Sequence, residues 1–176
     1  GFLYILSLLG LLKNILSLDD KIFLLFLKFP AILAEIFLSI FIYKQVLKKV
    51  SKFYSYLSAA FILFNPALIF NSAIWGQIDG ILSLFILLAI YYLGLKKLVF
   101  SSILFGLAFL IKPQALAILP IYFLYLLQNF TLKNFIQLIL PPTFVIFILS
   151  LPFFINPISG LINLLTTSAN VYPYTS

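Results

Sequence analysis

An all-α membrane bundle is the fold class this sequence predicts, and two observations carry it. Hydrophobic residues fill 64% of the 176 positions against 9% charged, with a mean hydropathy of +1.23, whereas soluble domains carry roughly 25% charged residues. Too little polar side chain is available to cover a globule. The apolar residues also come in long runs, Ile22 to Leu27 and Phe144 to Ile155 among them, and not in the polar/apolar alternation over ~10 residues that outer-membrane strands show. Helices are then the spanning elements that satisfy every backbone group.

Residues 1–18 are apolar but interrupted by Lys13 and Asn14, and they lead into Ser17-Leu18-Asp19-Asp20, a cluster suited to cap the next helix. They read as an interfacial or re-entrant segment. The first span is expected at 22–43, about 33 Å of helix against a hydrocarbon core of ~30 Å, and it carries Lys28, Pro30 and Glu35 inside it. Beyond the basic stretch of Lys44, Lys48, Lys49 and Lys52, further spans are expected near 54–70, 81–95, 98–111, 115–127 and 135–155, six in all. Polar breaks separate them at 71–80, Lys96-Lys97, Lys112-Pro113-Gln114 and 128–134, and Pro141-Pro142 is expected to kink the last one. Residues 156–176 read as an outer loop, with Ile158, Leu161, Ile162 and Leu165 at the spacing of an interfacial helix. With no internal repeat and no soluble linker, 1–176 is a single transmembrane domain. The start at Gly1 and the polar end Tyr172 to Ser176 read as those of a fragment of a longer chain.

The basic excess is made of eleven lysines with no arginine and no histidine, which argues against a nucleic-acid surface built on guanidinium forks. The lysines are topology information instead. With the 44–52 loop in the cytoplasm, alternating spans put Lys96, Lys97 and Lys133 there as well, seven of the eleven lysines. The Asn71 to Gly80 and Lys112 to Gln114 breaks then face away from the cytoplasm, and the Asn129-Phe130-Thr131 sequon falls inside and is discounted. Cysteine is absent, so disulfides, thiolate metal sites and a cysteine nucleophile are excluded. Four carboxylates remain as possible metal ligands, and no metal or cofactor is expected.

Four of the expected spans are only 13 to 17 residues long, short of the roughly 20 needed for a full crossing. Irregular polar backbone below the membrane surface is tolerated where protein or a water-filled cavity surrounds it. A recess open to the outer side, lined by the Trp75 and Lys112 segments, follows. In the first segment, Trp75, Gln77 and Asp79 pack an indole, an amide and a carboxylate into five positions, with Gly76 and Gly80 letting a ligand approach the backbone. The competing reading is an aromatic-belt residue in a turn, with Asp79 capping a helix from Ile81. Lys112, followed by Pro113 and Gln114, either binds an anionic phosphate or snorkels to the interface. Lys28 and Glu35 are a possible intramembrane polar pair, seven residues apart on one helix face but ~10 Å apart along its axis. A carboxylate at that depth is a functional candidate or a paired structural group.

Three stretches, Lys28 to Glu35, Asn71 to Asp79 and Lys112 to Ala115, together resemble prokaryotic membrane mannosyltransferases related to the GPI second-mannose transferase, in the GT-C superfamily. The terminal Ala169 to Tyr174 is similar too. Glu35 stands where that family usually has Asp, and Gly80 where Ser is common. The resemblance implies a GT-C-like helical bundle that transfers a hexose, mannose foremost, with inversion. The donor would be a polyprenyl-phosphate-linked sugar and the acceptor a glycan, lipid or protein on the outer face of the bilayer. It places the catalytic carboxylate in a first outer loop upstream of Gly1, so the fragment alone is expected to be inactive, with Asp79 the second choice of base. Trp75, Gln77, Asp79, Lys112 and Gln114 are the expected substrate-binding residues. The rival from another class is a transporter or lipid flippase, which would also use intramembrane charges and broken helices.

Overall fold

The computed structural model describes residues 8–13, 15 and 19–151, which are helical with short connections and include no strand. The interfacial reading of 1–18 lies largely outside the described residues, although 8–13 are helical, and the outer loop 156–176 lies wholly outside them.

Helix α1 spans Asp20–Leu47, 28 residues, or about 42 Å of rise. The carbonyl of Asp19 accepts from the Phe23 amide at 2.9 Å, opening the helix at the acidic cluster. Helix α2 (Lys52–Leu63) stops at Phe64, earlier than the expected span, because Asn65-Pro66 begins a new element. Asn65 is extended, its side chain accepts from the Ala67 amide, and Pro66 sits where a missing N–H costs nothing. The short α3 (Pro66–Ile69) passes directly into a π-helical turn, Phe70–Ile74. After a break come α4 (Asp79–Gly94) and α5 (Leu98–Ile111), joined through Lys96 in a left-handed conformation, φ 58°. The expected span 115–127 is divided: Pro113–Ile118 is a 3-10 turn and α6 is Leu119–Gln128. Helix α7 runs Leu132–Ser150, capped by the Thr131 hydroxyl on the Asn134 amide at 3.1 Å.

Three stretches are long and apolar enough to cross a membrane, Ile22–Leu47, Lys52–Ile74 and Leu132–Ser150, and three apolar stretches, Asp79–Gly94, Leu98–Ile111 and Pro113–Gln128, are shorter. At 16 and 14 residues, α4 and α5 rise about 24 and 21 Å, less than a ~30 Å core.

Packing is the reverse of a soluble protein's. The most buried positions are small: Ala31, Ser39, Ser55, Ser72, Ala89, Ser101, Ser102, Ala108 and Ala115 are all 2% exposed or less. Large apolar residues such as Phe61, Phe64, Phe123 and Leu140 point outward. Lipid offers those side chains the same apolar surroundings as a core, so helices associate through close backbone approach and buried hydroxyls. Helix α1 packs on α2 and α4, and α5 packs on α4 and α7.

Three of these four contacts, all but that of α1 with α4, carry a hydroxyl crosslink. Ser39 Oγ donates to the Ala59 carbonyl at 3.1 Å, joining α1 to α2. Ser101 Oγ donates to the Ala89 carbonyl at 2.7 Å and lies 2.6 Å from the Tyr122 hydroxyl, joining α4, α5 and α6. Ser102 Oγ donates to the Gln137 carbonyl at 2.8 Å. That carbonyl is the one left without an in-helix donor because Pro141, four residues on, has no N–H. Helix α7 thus continues through Pro141 and Pro142 with a neighbour supplying the missing bond. One turn beyond Ser102, a Cβ at Gly106 would lie 3.0 Å from Pro142 Cα, so glycine sets the α5 to α7 spacing.

Candidate functional site

The polar residues of the 71–80 break and of the α5 end are brought together by the interruption of the α3 helical run. A π turn shifts each N–H to the fifth carbonyl back, as the Trp75 amide does to Phe70 at 2.9 Å, and such turns recur at functional sites. Gly76 then takes φ +70°, a conformation that admits glycine freely. The chain reverses, with the Gln77 amide on the Asn71 carbonyl at 2.8 Å.

Asp79 is the first residue of α4, not its cap: Ile78 holds the cap position, and no side chain caps that end. The capped-turn reading is therefore corrected, because the π turn and the Gly76 reversal bring the helix start forward to Asp79. The carboxylate instead looks across the bundle. Its Oδ2 accepts from Asn71 Nδ2 at 2.9 Å, and its Oδ1 forms an ion pair with the Lys112 ammonium. Lys112 ends α5 in an extended conformation and precedes Pro113, which excludes a further helical turn there. The two side chains, 33 residues apart in sequence, are 28% (Lys112) and 34% (Asp79) exposed. Burial alone raises the Asp79 carboxyl. The Lys112 and Asn71 hydrogen bonds and the Lys112 charge outweigh it and hold the group below the ordinary carboxylate range.

Trp75 is 69% exposed and packs edge-on against Phe70, with ring centroids 5.6 Å apart. Together with Pro66, Ala67, Leu68 and Asn71 these rings line an open groove of about 640 Å³. The Asn71 amide that holds Asp79 thus also borders the groove. Gln77 is half-buried and Gln114 exposed, and neither side chain joins the Asn71–Asp79–Lys112 network.

Lys28 and Glu35 do not pair with each other. Both reach from α1 into the broken segment. Lys28 Nζ donates to the carbonyls of Ala73 at 2.7 Å and Ile74 at 3.2 Å, which the end of the π turn leaves without in-helix donors. Glu35 Oε2 accepts from Ser72 Oγ at 2.9 Å, while its buried Oε1 has no hydrogen-bond partner. A Cβ at position 80 would stand 2.9 Å from Glu35 Cγ and 3.0 Å from the Ala31 carbonyl oxygen. This arrangement leaves no room for a serine at 80, so Glu35 and Gly80, the two departures noted in the sequence, occupy one contact. Asn71 and Ser72 are the site residues that sequence reading did not single out. Their signal was the run of polar residues ahead of Trp75, but which of them turns toward α1 and which toward Asp79 is set by the π turn. The catalytic carboxylate expected ahead of Gly1 is outside the described residues.

A helical membrane protein in which a broken helix presents an exposed indole and brings a carboxylate to the ammonium at the end of α5 is the class these features define. Its sequence matches the ALG6, ALG8 glycosyltransferase family over residues 8–174, and the chain belongs to that family. No curated protein and no solved structure matches the chain. Membership carries glycosyl transfer. The relation to the GPI second-mannose transferase and the choice of mannose rest on the residue resemblance alone.

Proposed function

We propose that this glycosyltransferase moves a hexose, mannose by the residue resemblance, from a polyprenyl-phosphate-linked donor to a glycan, lipid or protein acceptor on the membrane face away from the cytoplasm. The observation that carries the reading is the pairing of Lys112 with Asp79, which Asn71 links to the groove that Trp75 lines. A lipid-linked donor has to be met at the membrane, its phosphate needs a cation, and its sugar needs a stacking face and hydroxyl acceptors.

In the transfer, the bond from the sugar's anomeric carbon to the phosphate oxygen breaks and a bond to the acceptor oxygen forms with inversion. The acceptor's proton goes to a base and polyprenyl phosphate leaves. Lys112 stabilises the phosphate as negative charge gathers on it. In this reading Trp75 offers the sugar its ring face, and Gln77, Asp79 and Gln114 hydrogen-bond sugar or acceptor hydroxyls. Among the described carboxylates, Asp79 is the proposed acceptor of the proton.

Membership in a glycosyltransferase family favours this over a transporter or flippase. Incubation of the full-length protein in vesicles with a polyprenyl-phosphate hexose is expected to yield a covalently glycosylated acceptor. Lipid movement without covalent transfer would refute the reading. Single cysteines at Lys48 and Gln114, both exposed, test the orientation: an impermeant thiol reagent on intact cells is expected to label position 114 and spare 48, and the reverse pattern would overturn it.

A further inference from the structure

We infer that Lys28 and Glu35 are positioning residues for the reaction, a two-point clamp from α1 that sets where the Trp75 to Asp79 segment stands. The inference rests on the function proposed above, but its geometry is independent of it. The segment is a gap between helices, and a helix that stops inside a bundle leaves carbonyls without donors. Lys28 fills that gap at Ala73 and Ile74, when a lysine at this position had the alternative of extending toward the interface. Its aliphatic stem also lies along the reversal, with Cγ and Cε each 3.6 Å from where a Cβ of Gly76 would stand.

Two turns along α1, Glu35 grips the other side of the segment. Its Oε2 holds Ser72 inside the π turn, and its Cγ touches the Gly80 backbone beyond the break. One helix thus contacts residues 72, 73, 74, 76 and 80, bracketing Trp75, Gln77 and Asp79 without touching them by hydrogen bonds. Glu35 is 8% exposed, and its Oε1 makes no hydrogen bond. An isolated buried carboxyl oxygen is costly in a membrane protein, and its place against Gly80 makes it a component of the clamp rather than of the lipid-facing surface.

The experiment uses Trp75, the one tryptophan among residues 1–176, as reporter, its signal taken as the difference from a Trp75→Phe control. In the full-length protein in nanodiscs, Lys28→Met is expected to lower Trp75 fluorescence anisotropy with far-UV helicity unchanged. It should lower kcat by on the order of ten- to a hundredfold, the scale of a misplaced catalytic group, with the donor KM within about twofold because Lys112 remains. Lys28→Arg, which keeps a donor, is expected to restore both anisotropy and kcat. Ser72→Ala, which removes the Glu35 bond together with that hydroxyl's contact to the Leu68 carbonyl, should move both in the same direction by a smaller factor. The clamp is overturned if Lys28→Met and Ser72→Ala leave anisotropy and kcat unchanged, or if Lys28→Met raises donor KM with kcat intact, which would make Lys28 a donor-binding residue. Anisotropy changes as expected with no sugar transfer by any form, wild type included, would support the clamp and refute the proposed reaction instead.

Discussion

Asp79 and Lys112 satisfy each other in the ligand-free site, so a donor phosphate that takes Lys112 must displace Asp79, and the two single substitutions should move donor affinity in opposite directions. The pair is part-exposed, 28% and 34%, which limits its strength to roughly 1 kcal/mol, the upper end for solvent-screened pairs. Asp79→Asn removes that competition and is expected to tighten donor binding by up to about fivefold, while lowering turnover. Lys112→Met loses a charge-assisted bond to phosphate worth about 1.5–3 kcal/mol. About 1 kcal/mol of that is returned because no pair has to be broken. The net loss of about 0.5–2 kcal/mol corresponds to roughly two- to thirtyfold weaker donor binding. Lys112→Arg should retain part of the affinity. Binding of polyprenyl phosphate to the full-length protein in nanodiscs measures all three. If Asp79→Asn weakens binding as much as Lys112→Met does, the pair is a structural tie between α4 and α5, and the assignment of Lys112 to the phosphate fails.

Other expectations follow from the same structure. Ser102→Ala strips the Gln137 carbonyl of its donor and should cost about 0.6–1.7 kcal/mol in a denaturant titration in detergent. Adding Pro141→Ala restores an in-helix N–H, and the double variant should recover most of that loss; no recovery would break the link drawn between the two residues. Gly106→Ala sets a Cβ 3.0 Å from the Pro142 backbone and should destabilise by about 1–3 kcal/mol, whereas Gly94→Ala, with open space around it, should not, as paired thermal melts would show. Because the Asp79 carboxyl is held below the ordinary carboxylate range, the stability it contributes is present above the unfolded value of about 3.9 and is lost as pH falls through the lower folded value. Stability between pH 5 and 8 should therefore be insensitive to Asp79→Asn in its pH dependence, and a wild-type transition near pH 6 abolished by that substitution would contradict the geometry.

Composition and run length determined the helical membrane bundle, because burying so few charges in so much apolar chain leaves no other way to satisfy the backbone. Local rules also placed the breaks at Lys112-Pro113 and 128–134, which act through their own N–H, φ or side-chain oxygen and need no partner from elsewhere in the chain; Asn65-Pro66 acts by the same rules, but the span expected at 54–70 ran through it. Trp75, Asp79 and Lys112 were legible as candidates for the same reason, as polar groups at interruptions in apolar helix. What only the tertiary structure decided is who meets whom. Lys28 and Glu35 look like a pair on one helix face, but each bonds to the 72–74 segment, because the π turn leaves carbonyls and a hydroxyl facing α1 that a linear pattern does not reveal. Asp79 looks like a cap and is an ion-pair partner, since a π turn and one glycine at positive φ shift the start of α4 and aim the carboxylate at the end of α5. Ser102 and Pro141 are ordinary residues in sequence, and only the approach of α5 to α7 makes one supply the hydrogen bond the other removes. Hydrogen bonds between segments depend on direction and on distances of about 3 Å, and those quantities exist only once the helices have packed.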